Sequence, residues 1–195
     1  MVRISLHSSK RFRRFFRRWT RAQQGAAAVE VALLATPFFI LIFGIVELAM
    51  VLLASATLEF ATAAAAREIR TGSFQSSPTN SATDFRDLVC SRMSWLSSGC
   101  GARLNIDVRT FSDFSSLSGT AGFNGSTFDP TKTCWSTGGP LDIVLVRSYY
   151  RWPLFTPLLS DALADTTDKQ ARLLTSAVAF RNEPYSESPP GGAKC

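Results

Sequence analysis

The chain has one histidine among its 195 residues, His7, and it falls in the first 24. A Ser-His-Asp or Cys-His relay therefore cannot be assembled beyond that N-terminal segment. Four cysteines are present, Cys90, Cys100, Cys134 and Cys195, with no CxxC and no Cys/His spacing, so no metal site is expected. Phosphate-binding glycine loops are missing too: Gly119 and Gly122 stand in a Ser/Gly-rich stretch without strand-turn-helix context. Acid pairs such as Asp161 and Asp165 have a spacing that suits a solvated helix face better than general acid-base work. No enzyme activity and no cofactor are expected. Residues 1–24 hold no acid and eight basic side chains (Arg3, Lys10, Arg11, Arg13, Arg14, Arg17, Arg18, Arg21). Against a net charge of +6, that leaves the remainder at −2. The exported part thus lacks a basic stripe, and nucleic acid is not an expected partner.

What the chain does have is one long apolar stretch from Gly25 to Glu59, GAAAVEVALLATPFFILIFGIVELAMVLLASATLE. The sixteen residues from Val31 to Val46 carry no charge. As a helix at about 1.5 Å per residue, Ala26 to Val46 would cover roughly 31 Å, enough to cross a hydrocarbon core of about 30 Å once. The basic tail before it keeps the N-terminus in the cytoplasm and sends everything after the helix outward. Its Phe12, Phe15, Phe16 and Trp19 suit an anionic leaflet, although a plain topology signal is the simpler role.

The helix is expected to run on past the bilayer through LAMVLLASATLEFATAAAA, with Arg67, Glu68 and Arg70 near its end and Gly72 as a left-handed stop. That makes one helix of about 45 residues, roughly 70 Å long, of which only the first half fits in lipid. Pro37 removes the bond to the Leu33 carbonyl and should bend it. Gly44 and the small residues of ASATLEFATAAAA allow another backbone to come close. Three carboxylates interrupt the apolar text: Glu30, Glu47 and Glu59. An unpaired carboxylate within the bilayer costs about 2.5–3.5 kcal/mol, so Glu30 and Glu47 need partners. At 100° per residue Glu30 and Glu59 fall within about 20° of each other, while Glu47 points elsewhere.

After a polar linker over residues 73–82, Asp84–Leu96 reads as a short amphipathic helix with Phe85, Leu88, Val89, Met93 and Leu96 on one side and Thr83 as N-cap. Three segments of period two follow: Arg103–Phe111, Asp142–Tyr150 and Leu173–Arg181. In the first, Leu104, Ile106 and Val108 face inward and Asn105, Asp107 and Arg109 outward. The Gly/Ser/Thr stretch from Ser112 to Gly139 reads as a surface excursion. Trp152–Pro157 should turn the chain before a short helical piece. The fold class is α+β: a long N-terminal membrane helix packed on a small antiparallel sheet of about three strands with one short helix, pilin-like in outline. The boundaries are a basic leader over 1–25, the long helix over 26–72, an exported domain over 73–185 and a loose tail over 186–195. All four cysteines lie on the exported side, where an even count favours disulfides and allows three connectivities. Cys90–Cys100 is the first choice, because ten residues can close between a helix end and the next strand; a pair left free is the alternative.

The junction between tail and helix carries the clearest signal. A basic tail, Gly25, a few small or apolar residues, Glu30 and then an unbroken apolar helix form a processing site at the membrane face. Cutting after Gly25 would free the α-amine of Ala26 and make Glu30 the fifth residue of the mature chain. Ammonium and carboxylate on adjoining subunits would then neutralise one another, lowering the cost of burying each.

GAAAVEVALLATPFFILIFGIVEL resembles the N-terminal helix of the TadE-like minor pseudopilins of the tight-adherence (Tad or Flp) pilus, a branch of the type IV pilin machinery. Gly25, Glu30, Pro37, Gly44 and Glu47 stand where that family's motif has them. Arg181-Asn182-Glu183-Pro184-Tyr185 is similar, more loosely, to the family's C-terminal ending. One departure is Val31, where the family often has an aromatic residue. The resemblance implies processing by a prepilin peptidase, residence in the inner membrane, and contact with other pilins, minor pseudopilins and the assembly platform. Glu47 would on this view meet a polar group on a neighbour. Two other readings exist: a permanent single-pass anchor or receptor with an exported ligand-binding domain, which leaves Gly25 uncut, and a secreted enzyme cut within Ala63–Ala66.

Overall fold

A computed structural model describes residues 23–117, 122–124, 127–156, 163–164 and 170–186. Residues 1–22 of the basic leader, Gly119, Asp161, Asp165, Cys195 and most of the expected tail lie outside them, as does most of the helical piece expected after Trp152–Pro157. The chain divides into two units, Met1–Ile45 and Val46–Cys195.

In the first unit the described chain is helix throughout, the opening part of α1 (Gln23–Arg70). Pro37 stands inside it without breaking it. One residue earlier, the Thr36 hydroxyl donates to the Ala32 carbonyl at 2.9 Å. Val29, Val31, Leu33, Leu34, Phe38, Phe39, Leu41 and Phe43 are all exposed. A helix apolar on every side is one whose surroundings are themselves apolar.

In the second unit α1 continues to Arg70 with one face buried by Val51, Ala54, Leu58, Ala61, Ala65, Ala66 and Ile69. Gly72 ends it in the left-handed conformation at φ 80°, and a Cβ there would stand 2.6 Å from the Tyr185 ring. The second helix, α2 (Ala82–Arg92), is capped by Ser81 and not by Thr83. The Ser81 hydroxyl accepts from Asp84 N, and the Asp84 carboxylate accepts from Ser81 N at 2.9 Å. Thr83 has Arg86 three residues on and could form only half of such a reciprocal box. Phe85, Val89, Met93 and Leu96 are buried as their spacing predicts, the last from a short 3-10 turn at Ser94–Leu96. Leu88 packs against them partly buried.

The sheet holds β1 (Leu104–Phe111), β4 (Ile143–Pro153) and β5 (Ala171–Arg181) in the order β1-β4-β5, both pairings antiparallel. A hairpin of β2 (Phe123–Asn124) and β3 (Thr127–Phe128) lies between the first two. The register aligns Val108, Val146 and Val178 across the sheet. That face joins α1 and α2 in a single core. The second strand runs further than its alternation suggested, through Trp152 and Pro153, so the chain leaves the sheet at Leu154. Proline is tolerated there because it is the strand's last residue.

The opposite face of the sheet is where the sequence misled. Asp107 was expected in solvent, and it is fully buried. Its carboxylate accepts from Arg109 Nε at 3.0 Å and from Cys134 N at 2.8 Å, with Arg147 Nη1 at 3.9 Å. The Ser112–Gly139 stretch is not purely a surface excursion: it folds over that face. Phe128 lies against Tyr149 at a ring distance of 4.6 Å, and Arg109 Nη2 donates to the Lys132 carbonyl at 2.8 Å. Burial pushes the Tyr149 phenol above its usual pKa. Trp135 bridges to Val108 along the edge of β1 and packs with Phe74 and Phe85. Alternation assigns a residue to a face but does not say whether something covers that face.

Candidate functional site

The residues singled out in the sequence separate into two settings. Gly25, Ala26, Glu30 and Pro37 are exposed on the first stretch of α1, and Gly44 is buried. A Cβ at Gly25 would meet nothing within 4 Å. Glu30 makes no hydrogen bond or ion pair among the described residues, and the structure brings none of these five into a cluster.

Glu47 belongs to the second unit and differs in every respect. It is 4% exposed. Its Oε1 accepts from Phe155 N at 2.6 Å and its Oε2 from Thr156 N at 3.0 Å. Where a polar group on a neighbouring subunit was expected, the donors are main-chain amides of the same chain, 108 and 109 residues away. Two amides on one carboxylate satisfy the charge at a buried site without a counter-ion.

The feature that sequence reasoning missed is the outer face of α1 beyond residue 46. Leu48, Leu52, Leu53 and Phe60 are exposed there, Leu52 at 70% and Phe60 at 77%. They share this side with Ala49, Ala63 and Glu59, while the sheet-facing side holds four alanines among its buried positions. The signal was in the text: large apolar residues continue every three or four positions after the length needed to cross a bilayer is used up. Wrapping each such side chain in a partner would contribute about 1.5–3 kcal/mol.

The other end of α1 is fastened by the 181–185 segment. Glu183 N donates to the Arg70 carbonyl at 2.8 Å, and Asn182 Nδ2 to the carbonyls of Thr137 and Gly139 at 3.1 and 2.9 Å. Gln75 Nε2 donates to Ile69 O at 2.9 Å and to the Tyr185 hydroxyl at 3.3 Å. Burial raises the Tyr185 phenol pKa. This ending is a clasp joining helix, sheet and loop. Cys90 and Cys100 form a disulfide between the end of α2 and the turn before β1, the pairing put first from the spacing. Cys134 is not free, and Cys195 lies outside the described residues. The described residues hold no group of three or more His, Cys, Asp or Glu able to bind a metal ion.

Residues 25–67, which are α1 from Gly25 almost to its end, match the family model described as TadE-like protein. The resemblance read from Gly25, Glu30, Pro37, Gly44 and Glu47 is thereby shown over that segment. No curated protein and no solved structure matches the chain.

Proposed function

We propose, from the premise that residues 25–67 are a TadE-like helix, that this chain is a minor pseudopilin needed to assemble a tight-adherence pilus. Among the described residues one helix is long and apolar enough to cross a membrane, near the N-terminus, which suits a membrane-anchored protein. On this reading the leader ends at Gly25, a prepilin peptidase cuts there, and the exported domain stands outside the inner membrane. The role is structural, with other pilins, minor pseudopilins and the assembly platform as partners.

The observation that carries the reading is the helix surface. From Val29 to Phe43 large side chains lie exposed, and beyond residue 46 the exposure persists at Leu48, Leu52, Leu53 and Phe60. Lipid accounts for the first set and reaches the second poorly. Four such residues offer roughly 6–12 kcal/mol of gross burial, comparable with the 4–15 kcal/mol that association costs. A partner helix that already lies alongside in the bilayer has met much of that cost, so the two stretches act together. Glu30 takes the Ala26 ammonium of a neighbour, which offsets the expense of both charges in lipid.

Cutting within Ala63–Ala66, as a secreted enzyme would require, divides α1 where Ala65 and Ala66 are buried in the core. N-terminal sequencing of membrane-extracted protein tests the proposal. Ala26 as first residue is the expected result. A chain still beginning at Met1 in functional material overturns it and favours a permanent single-pass anchor with an exported ligand-binding domain.

A further inference from the structure

The three-stranded sheet has two edges, and the chain treats them differently. Along β1 the edge is closed: Val108 N donates to the Cys134 carbonyl at 2.8 Å, and Ser136 N to the Val108 carbonyl at 2.9 Å. Along β5 it is open. Asn182 N donates to the Asp142 carbonyl at 2.8 Å and Leu154 N to the Gln170 carbonyl at 2.9 Å, so in this register the even-numbered residues of β5 are the ones bonded to β4. The main-chain N–H and C=O groups of Thr175, Ala177, Ala179 and Arg181 therefore point away from the sheet. All four residues are exposed, and none of these groups has a partner among the described residues. Ala171 and Leu173, earlier on the same edge, are already engaged.

Such an edge is usually blunted by a charge, a proline or a bulge. Leu174–Phe180, LTSAVAF, has no charge and no proline, and its register with β4 is unbroken. Further along the same edge Glu183 N donates outward to the Arg70 carbonyl at 2.8 Å, which sets the end of α1 beside it. A groove of about 380 Å³ lies there, lined by Ala63, Ala66, Arg67 and Arg70 of α1 and by β5 from Val178 to Phe180. Leu174, Val178 and Phe180 pack on the core shared with α1, so Arg181, an odd-numbered residue, is on the opposite face of the sheet. Arg70 is taken by Glu183 at 3.5 Å. Arg67 and Arg181 are exposed and have no acidic partner among the described residues. Glu59 stands two turns before Arg67, about 12 Å along the helix.

Charge decides what can fill this edge. A second β5 laid antiparallel on the first would bring Arg67 of both copies to one face of the shared sheet, where like charges oppose pairing. An extended segment carrying carboxylates would instead meet a free cation on each face. We propose that the open edge of β5 receives an extended, acidic segment of another protein as an added strand: its main chain bonds to Thr175, Ala177, Ala179 and Arg181, and its carboxylates meet Arg67 on one face and Arg181 on the other. The interaction belongs to the second unit alone and stands whether or not α1 crosses a membrane.

The test uses the full chain in detergent micelles, with amide hydrogen exchange followed residue by residue by NMR. The probe is a short, end-blocked peptide of alternating valine and glutamate. Saturating peptide should slow exchange at Thr175, Ala177, Ala179 and Arg181 and leave Ser176 and Val178, already bonded to β4, as they were. No slowing at the four amides overturns the proposal. Protection of the four in the free chain overturns it too: lost on dilution, it would assign the edge to a second copy; kept on dilution, to the chain itself. Ala177→Pro removes an outward N–H without costing a bond to β4, so the variant should keep slow exchange at Val146 and Val178 and lose the peptide's effect. Slowing that survives in Ala177→Pro would place the peptide elsewhere and overturn the strand addition. Arg67→Ala should weaken binding of the acidic peptide roughly two- to fivefold. Lysine in place of glutamate in the peptide should abolish the slowing, and equal protection by the two peptides would overturn the acidic character given to the partner.

Discussion

The two stretches of α1 are written in nearly the same alphabet and are used in opposite ways. From Gly25 to Ile45 the side chains are exposed with few exceptions, whereas from Val46 to Arg70 every third or fourth is buried against the chain's own sheet. In a water-soluble amphipathic helix the large apolar residues face the core and polar ones face out. In the second stretch the buried side is rich in alanine, at Ala54, Ala61, Ala65 and Ala66, and Leu48, Leu52, Leu53 and Phe60 are turned outward. Small residues line the side of the helix that joins the core; large ones outside find no cover among the described residues. A long apolar segment therefore carries two addresses, and only its periodicity shows where one gives way to the other.

The comparison is sharpest at two carboxylates. Asp107 is buried and its partners are Arg109, Arg147 and the Cys134 amide. Glu30 is exposed and has none among the described residues. Asp107→Ala should cost about 3–5 kcal/mol of folding stability, because two guanidinium groups and an amide lose their acceptor together. Urea unfolding of the micelle-held full chain, followed by tryptophan fluorescence, measures it. Glu30→Ala should leave that curve where it is and also leave membrane insertion and cleavage intact, since the helix becomes more apolar. Pilus assembly in the variant should fail. Normal pili in Glu30→Ala cells would show that the carboxylate has no assembly role.

A smaller contrast lies within one helix. Leu58→Ala empties a buried position and should lower stability by about 2–5 kcal/mol, the range set by how far the site can collapse. Leu52→Ala, on the exposed side, should change it by no more than about 0.5 kcal/mol and instead reduce recovery of partner pilins by co-purification. Equal stability losses from the two would mean that the outer face of α1 is covered within the chain itself, and the division between its two sides would be gone.

How much of this could be read beforehand follows from the range of the interactions. The three strands showed in the sequence because period two is a local property, and the Cys90–Cys100 disulfide because its loop is short. Glu47 was recognised as anomalous, but its amide donors are supplied by a segment more than a hundred positions away, and nothing near Glu47 announces them. Asp107 failed for the same reason: its covering segment, around Cys134, is joined to it only by the fold. Ser81 is different. Its partner Asp84 is three residues away, and the reciprocal pattern was visible had aspartate been weighed alongside glutamate at that position.

That local box gives the smallest effect and the cleanest reading of pH. Asp84 is held below its ordinary value of 3.8, chiefly by the hydrogen bond from the Ser81 side chain and then by the one from the Ser81 backbone. A carboxyl group whose pKa falls on folding contributes stability that is complete above its unfolded value and is lost as pH drops through the folded one. Ser81→Ala should cost about 1 kcal/mol at neutral pH through loss of the cap. The difference between native chain and variant, measured by urea unfolding, should narrow as pH falls below 3.8, because protonated Asp84 no longer answers Ser81. Neither variant nor acid should change lipid labelling of α1 residues 26–46. A gap that stays constant down through that range would place the stabilisation in the Ser81 hydroxyl alone. A change in helix labelling would mean that the second unit and the first stretch of α1 are coupled more tightly than their separate surroundings suggest.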